Sequence, residues 1–195
     1  VVKGLDPHEE YFYRFSTENS KSEIGRFRTA PPLDSNEKIR IAYFSCQHYE
    51  SGFFNAQRAI AKEKDIDLVV CLGDYIYEYS NNEEPRQDRT GTNKDGDVQF
   101  LDEYRQKYAL YKGDKNLQAM HAAHPFIAIW DDHEVEDNHA DGNPSSAQSD
   151  PNKTNLQNYP RRVSYLQRKA NGYKAFFEHN PLFFINAAPT EIYTD

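Results

Sequence analysis

The sequence predicts an α/β fold built on a parallel sheet, with a β hairpin ahead of it. Three apolar runs, residues 39–44, 67–72 and 126–130, have the length and composition of buried strands. A helical pattern separates the first two, and strand–helix–strand implies parallel pairing. Each run also stops at residues suited to bind a cation. These are Ser45-Cys46-Gln47-His48, Gly73-Asp74-Tyr75-Ile76-Tyr77-Glu78 and Asp131-Asp132-His133-Glu134. Open α/β sheets bind ligands at the carboxyl edge of their strands.

Residues 1–31 read as all-β. Tyr11, Tyr13 and Phe15 alternate with Phe12 and Arg14, as a half-buried strand requires. A polar turn at residues 18–22 leads to a second strand at 25–29. Leu5-x-Pro7-x-x-x-Tyr11 resembles the tyrosine corner of immunoglobulin-like and fibronectin-type domains. On that reading residues 1–31 are the end of such a domain; a plain hairpin of the main domain is the alternative. A lone hairpin is marginal in water, so either way it should lean on the domain that holds the parallel sheet.

Residues 32–37 form a linker after Pro31, and residues 38–195 form the main domain. Residues 52–61 have helical apolar spacing. Residues 80–98 are polar and form a long loop, of the kind that is functional or mobile. Leu101, Tyr104, Tyr108 and Tyr111 share one helical face. A second short helix at 117–123 is broken by His124-Pro125. Val163, Leu166, Ala170, Tyr173 and Phe177 line one side of a longer helix that ends near Asn180-Pro181, and residues 182–185 read as another strand.

Composition narrows the function. The chain of 195 residues can hold one good core, or one core and part of another. With 28% charged and 37% hydrophobic residues it reads as globular, and its apolar runs fall short of the ~20 residues of a spanning helix. A net charge of −8 argues against a nucleic-acid backbone as partner, which calls for a basic patch. An acidic protein that acts on phosphate must neutralise its own field locally, as a bound metal does. The many tyrosines suggest interior or pocket-lining phenols whose hydroxyls find partners. Two cysteines are too few for a disulfide scaffold; Cys71 reads as a small core hydrophobe, and pairing with Cys46 is not expected. Val1 is not a natural start, so the chain reads as a segment and its lack of a signal peptide says nothing about export.

The chemistry concentrates at the strand ends. Gly73 permits a tight turn that aims Asp74 at an ion, and one carboxylate can bridge two cations. Tyr77 reaches the same side if the chain turns helically. A phenol yields its proton only to a strong Lewis acid such as ferric iron. A Cys46 thiolate suits iron or zinc, and Asp132 offers a hard oxygen. His133 stands where it can donate a proton or steady charge on a phosphoryl group. Plainer readings exist. Gly73-Asp74 can be a strand-ending turn, Tyr77 packing and Cys46 a buried thiol. His48, His121 and His124 read as ordinary residues. Glu134, Glu136, Asp137 and Asn138 read as an acidic helix start, and Asp88, Asp95 and Asp97 as solvated loop charges. Asn152-Lys153-Thr154 is a glycosylation sequon, a weak signal.

Several blocks together resemble the PhoD-type alkaline phosphatases and phosphodiesterases. They are Ser45-Cys46-Gln47, residues 73–78, Tyr104-Arg105 with Tyr108, residues 117–129, and Trp130-Asp131-Asp132-His133-Glu134-Val135-Glu136-Asp137-Asn138. The resemblance implies the N-terminal half of a metallophosphoesterase-like αββα sandwich, preceded by the end of an immunoglobulin-like domain. It implies hydrolysis of phosphate monoesters and diesters, with Asp74 and His133 in catalytic roles. It implies Fe3+ with Ca2+ rather than a zinc pair. By position Cys46, Asp74 and Tyr77 match iron ligands, with Asp74 bridging, and Asp132 matches a calcium contact. His133 corresponds to the histidine of the wider superfamily's Asn-His-Glu/Asp motif. That superfamily opens with Asp-x-His; Ser45-Cys46-Gln47 departs from it and supports the PhoD-like branch. The expected partner is a phosphate ester, with no nucleic acid beyond a diester substrate and no transmembrane segment. A monomer, secreted, periplasmic or on the cell surface, is expected. The family's remaining ligands, an Asp and a His, would lie beyond Asp195, so a fragment lacking full activity is expected. The rival reading is a noncatalytic module that binds calcium or phosphate.

Overall fold

The computed structural model describes residues 2–81, 85–140 and 161–181. The strand read at 182–185 and the sequon at 152–154 lie outside these. The described elements run in chain order: β1 (Glu10–Tyr13), β2 (Gly25–Arg28), β3 (Ile41–Phe44), α1 (Asn55–Ile60), β4 (Leu68–Leu72), α2 (Leu101–Lys112), α3 (Lys115–Ala123), β5 (Phe126–Ile129) and α4 (Tyr165–His179). The fold is mixed α/β. β3, β4 and β5 lie side by side in that order, all parallel, with Ile41 opposite Leu68 and Val69 opposite Phe126.

The strands alternate as a pleated sheet must. Val69, Cys71 and Ala128 are buried on one face. There they join Tyr75, Tyr104, Tyr108, Tyr111, Leu117, Met120 and Phe176 in a single core, with Ala42, Phe44 and Phe126 at its margin. The other face carries Ile41, Tyr43, Leu72, Ile127 and Ile129, all exposed. The expectation of fully buried strands therefore holds for one face only. All the described helices that add buried apolar side chains to the core do so on that face.

Local chemistry sets the helix limits. Glu103 accepts the backbone N–H groups of Gln99 and Phe100, at 2.8 and 3.1 Å, and so closes the start of α2. Asp114 caps α3 through the N–H groups of Asn116 and Leu117. His124 is already extended before Pro125, where α3 ends. Tyr104, Tyr108 and Tyr111 are buried along one side of α2, as their spacing predicts. The hydroxyl of Tyr111 accepts the N–H groups of Tyr49 and Tyr77, each at 3.1 Å, whereas that of Tyr108 has no partner among the described residues.

The predicted face of α4 is a correction. Leu166, Ala170 and Phe177 are exposed, and the buried side is Arg168, Asn171, Gly172, Ala175 and Phe176. A buried arginine is tolerable only when paired, and Arg168 meets Glu136 at 3.1 Å and Asp97 at 3.5 Å. At Gly172 an added Cβ would run into the carbonyl oxygen of Glu134, so the missing side chain lets α4 cross the turn after β5 closely.

The loop over 80–98 is a second correction. It carries no helix or strand among its described residues, but Asp88 and Asp97 are only 1% and 3% exposed. Asp88 pairs with the fully buried ammonium of Lys107, and Asp97 with Arg162 and Arg168. Buried Glu50 adds bonds to the Ser80 hydroxyl (2.6 Å) and the Asn81 N–H (2.8 Å). These are structural charges that clamp a polar loop onto α2 and α4.

The hairpin pairs Glu10 with Arg28 in antiparallel register. Tyr11 stacks on Phe27, and its hydroxyl accepts the Asp6 N–H at 2.8 Å, five residues upstream. Phe12, Tyr13 and Phe15 are exposed, so of the alternating residues only Tyr11 is partly buried. The hairpin leans on the rest of the chain through Arg26, which donates to the Ala123 carbonyl at 3.1 Å, and through Arg28 to Asp67 at 3.4 Å.

Candidate metal centre

The three strand ends converge on one edge of the sheet. Past β3, the N–H of Cys46 donates to the Gly73 carbonyl (3.3 Å) and that of Gln47 to the Asp74 carbonyl (3.2 Å), so the β3 and β4 chains stay joined as they turn. Gly73 has φ +105°, and a Cβ there would sit 2.5 Å from the Cβ of Asp131. Glycine is thus required both for the turn and for the approach of the β5 end. Cys46, Asp74 and Asn138 are three of the six non-glycine residues with positive φ among the described residues. Such backbone persists where the surroundings impose it, and it clusters at sites.

Glu134 does much of that imposing. It is fully buried and accepts the N–H groups of Asp74 (3.2 Å), Tyr75 (2.7 Å) and Asp131 (2.7 Å). Burial pushes its pKa up to about 7 even with those donors present. Read from sequence as part of a helix start, Glu134 is instead the clamp between two strand ends. Residues 132–138 form successive turns, with the N–H groups of Val135 and Glu136 both on the Asp132 carbonyl at 2.8 Å. Within them Glu136 is paired with Arg161 and Arg168.

Around this frame the predicted residues come together. Ligand-type atoms of Asp74, Asp132 and His133 all lie within 4.8 Å of one another. The Tyr77 hydroxyl donates to Asp74 Oδ2 at 3.4 Å, and Cys46, exposed just past the end of β3, lies near both groups but outside the cluster of three. Asp74 Oδ1 is buried with no hydrogen-bond partner among the described residues. An orphaned buried carboxylate oxygen is costly, and a cation is the partner that relieves it. Burial accordingly raises the pKa of Asp74, although His133 pulls the other way. Burial and the Asp74 charge likewise raise that of Tyr77. At Cys46 the Ser45 hydroxyl favours the thiolate, but burial and Asp74 outweigh it. Two carboxylates, a phenol and a thiol beside an imidazole make a donor set that fits a metal ion.

His133 is held on two sides. Its Nδ1 lies 2.8 Å from Glu78 Oε2, and the Tyr77 ring covers it at 4.0 Å between centroids. Burial alone would lower its pKa, but the bond to Glu78 and the surrounding carboxylates raise it to about 9. Sequence reasoning misses this role of Glu78; the available signal is one acid inside the aromatic run Tyr75-Ile76-Tyr77-Glu78-Tyr79. The three histidines read as ordinary have structural partners. His48 meets the Ser51 hydroxyl, His121 the Tyr75 hydroxyl, and His124 the Ile60 and Ile66 carbonyls. Cys46 and Cys71 are both free thiols.

The chain is similar to known proteins. Residues 41–195 match the family model of the PhoD-like phosphatases, and residues 1–31 match the N-terminal domain model of the same family. The chain belongs to the PhoD-like phosphatase family. It is 40% identical over 183 residues to alkaline phosphatase D of Bacillus subtilis (strain 168), covering 92% of this chain and 29% of that protein. It also matches a solved PhoD structure with a TM-score of 0.73 and 36% identity, covering 96% of this chain and 34% of that one. The chain therefore spans about three tenths of the length of its curated PhoD-like relative. No described helix is long and apolar enough to cross a membrane.

Proposed function

We propose that this chain contributes one wall of the active site of an exported, metal-dependent phosphoesterase acting on phosphate monoesters and diesters. The observation that carries the reading is the orphaned Asp74 Oδ1 beside Asp132 and His133 at the carboxyl edge of a parallel sheet. On this reading Cys46, Asp74 and Tyr77 would hold a ferric ion and Asp132 would contact calcium. Such ions, when bound, act as Lewis acids on phosphoryl oxygens and lower the pKa of water. The chain's own residues do the rest. Asp74 and Asp132 set the position of the charge, and His133, with Nδ1 committed to Glu78, has Nε2 left to steady a phosphoryl oxygen or protonate a leaving oxygen.

The domain reading is part of the same proposal. Residues 38–195 form the first part of an αββα sandwich; the exposed face with Ile41, Tyr43, Leu72, Ile127 and Ile129 suits cover by a second sheet. Residues 1–31 are the end of an immunoglobulin/fibronectin-like domain, and the Tyr11 bond to the Asp6 N–H supports a tyrosine corner. Residues 32–37 link the two.

The test uses the full-length protein with p-nitrophenyl phosphate and bis-p-nitrophenyl phosphate as substrates. Asp74→Asn should remove bound metal and hydrolysis together, and Tyr77 and Cys46 on ferric iron should give a visible charge-transfer band that Tyr77→Phe weakens and shifts. Activity retained in Asp74→Asn overturns the site, and a colourless, iron-free yet active enzyme overturns the ferric ligation.

A further inference from the structure

We infer that Glu78 is the positioning residue for His133, a role that rests on the proposed contact of His133 with the phosphoryl group or leaving oxygen. Glu78 has no exposed surface, and a buried carboxylate is kept only where specific bonds hold it. Its Oε2 takes the ring of His133 at Nδ1 (2.8 Å), and its Oε1 takes the N–H of Asp137 (2.7 Å). One carboxylate therefore grips both the side chain of His133 and the backbone of the turn that carries it.

The consequence for the imidazole is directional. A carboxylate acceptor keeps the proton on Nδ1, which leaves Nε2 as the only ring nitrogen able to meet a substrate. That Nε2 lies on the side of Asp137, 3.6 Å from its Oδ1. The face of the ring is blocked by Tyr77, the residue directly before Glu78. Tyr77 and Glu78 lie three and four residues after Asp74, so one short segment orients the imidazole and supplies the cluster's central carboxylate. Substituting Glu78 should disturb the histidine while leaving Asp74, which is held by Glu134, in place. A partner that fixes the tautomer and angle of a functional histidine is typically worth about 10–100-fold in activity.

The experiment compares wild type, Glu78→Gln, Glu78→Asp, His133→Ala and the double variant Glu78→Gln/His133→Ala in the full-length protein. Metal content, kcat and KM are measured, and 15N-histidine NMR tracks the His133 Nδ1–H. Glu78→Gln should keep its metal, shift or lose the Nδ1–H resonance, and lower kcat about 10-fold or more with little change in KM. Glu78→Asp, which retains the charge, should recover part of the loss and serves if the glutamine variant does not fold. In the His133→Ala background Glu78→Gln should add nothing. An unchanged Nδ1–H resonance, or a full further loss of kcat in that background, overturns the role of Glu78. If His133→Ala itself leaves kcat intact, the reading of His133 fails instead, and the resonance still reports whether Glu78 holds the ring.

Discussion

Two acidic clusters among the described residues, both largely buried, are closed in different ways. In the first, Asp88, Asp97, Glu103 and Glu136 are matched by Lys107, Arg161, Arg162 and Arg168, which ties the long loop to α2 and α4. In the second, Asp74, Asp132 and Glu134 pair with no lysine or arginine among the described residues. The nearest cation there is His133, already engaged by Glu78. The same residue types are buried in both places. Where the chain supplies the countercharge, the cluster is architecture. Where a carboxylate oxygen is left without a partner among the described residues, as at Asp74 Oδ1, the cluster is open to the cation proposed above.

The largest expected effect tests the closed cluster. Lys107→Met leaves Asp88 buried without its ion partner and should destabilise the chain by about 3–5 kcal/mol in urea unfolding. Asp74→Asn, measured without metal, should cost nothing comparable, because it removes a charge that no lysine or arginine pairs among the described residues. Equal losses in the two variants would break the distinction. A smaller effect is expected from ligand: metal at a hundredfold excess over its Kd should stabilise wild type by about 2.7 kcal/mol, and Asp74→Asn should abolish that gain in a thermal melt.

The smallest effect sharpens the contrast through pH. Arg162 and Thr92 hold the Glu103 carboxyl down at about 2 despite its burial. Its contribution to stability is therefore present above the ordinary value of 4.5 and is lost as pH falls toward 2. Glu134 runs the other way: with a folded pKa near 7, its contribution is full below 4.5 and is lost as pH rises through 7. His133, raised to about 9, adds a loss between 6.5 and 9. Stability of the metal-free chain should thus fall at both ends, and Glu134→Gln should flatten only the limb between 4.5 and 7. An unchanged limb in that variant would remove Glu134 as its source.

Much of this is legible in the residues alone. Apolar runs ending in Cys46, Asp74 and Asp132 mark three strands and the edge where ligands gather, and the spacing of Tyr104, Tyr108 and Tyr111 marks the inner face of α2. Those signals are local, because strand and helix periods repeat within a few residues. The errors share one cause. Asp88 and Asp97 read as solvated, and Leu166 and Phe177 read as inward in place of Arg168, because hydropathy cannot register a countercharge that arrives from tens of residues away. The roles of Glu78 and Glu134 stay hidden for the same reason, since their partners lie 55 to 60 residues along the chain or just across a turn. The sequence by itself determined the parallel sheet, the inner face of α2 and the kinds of atom at the edge. Only the tertiary structure decided which buried acids are neutralised and which stand open, because charge compensation depends on distance in space, and distance along the chain does not report it.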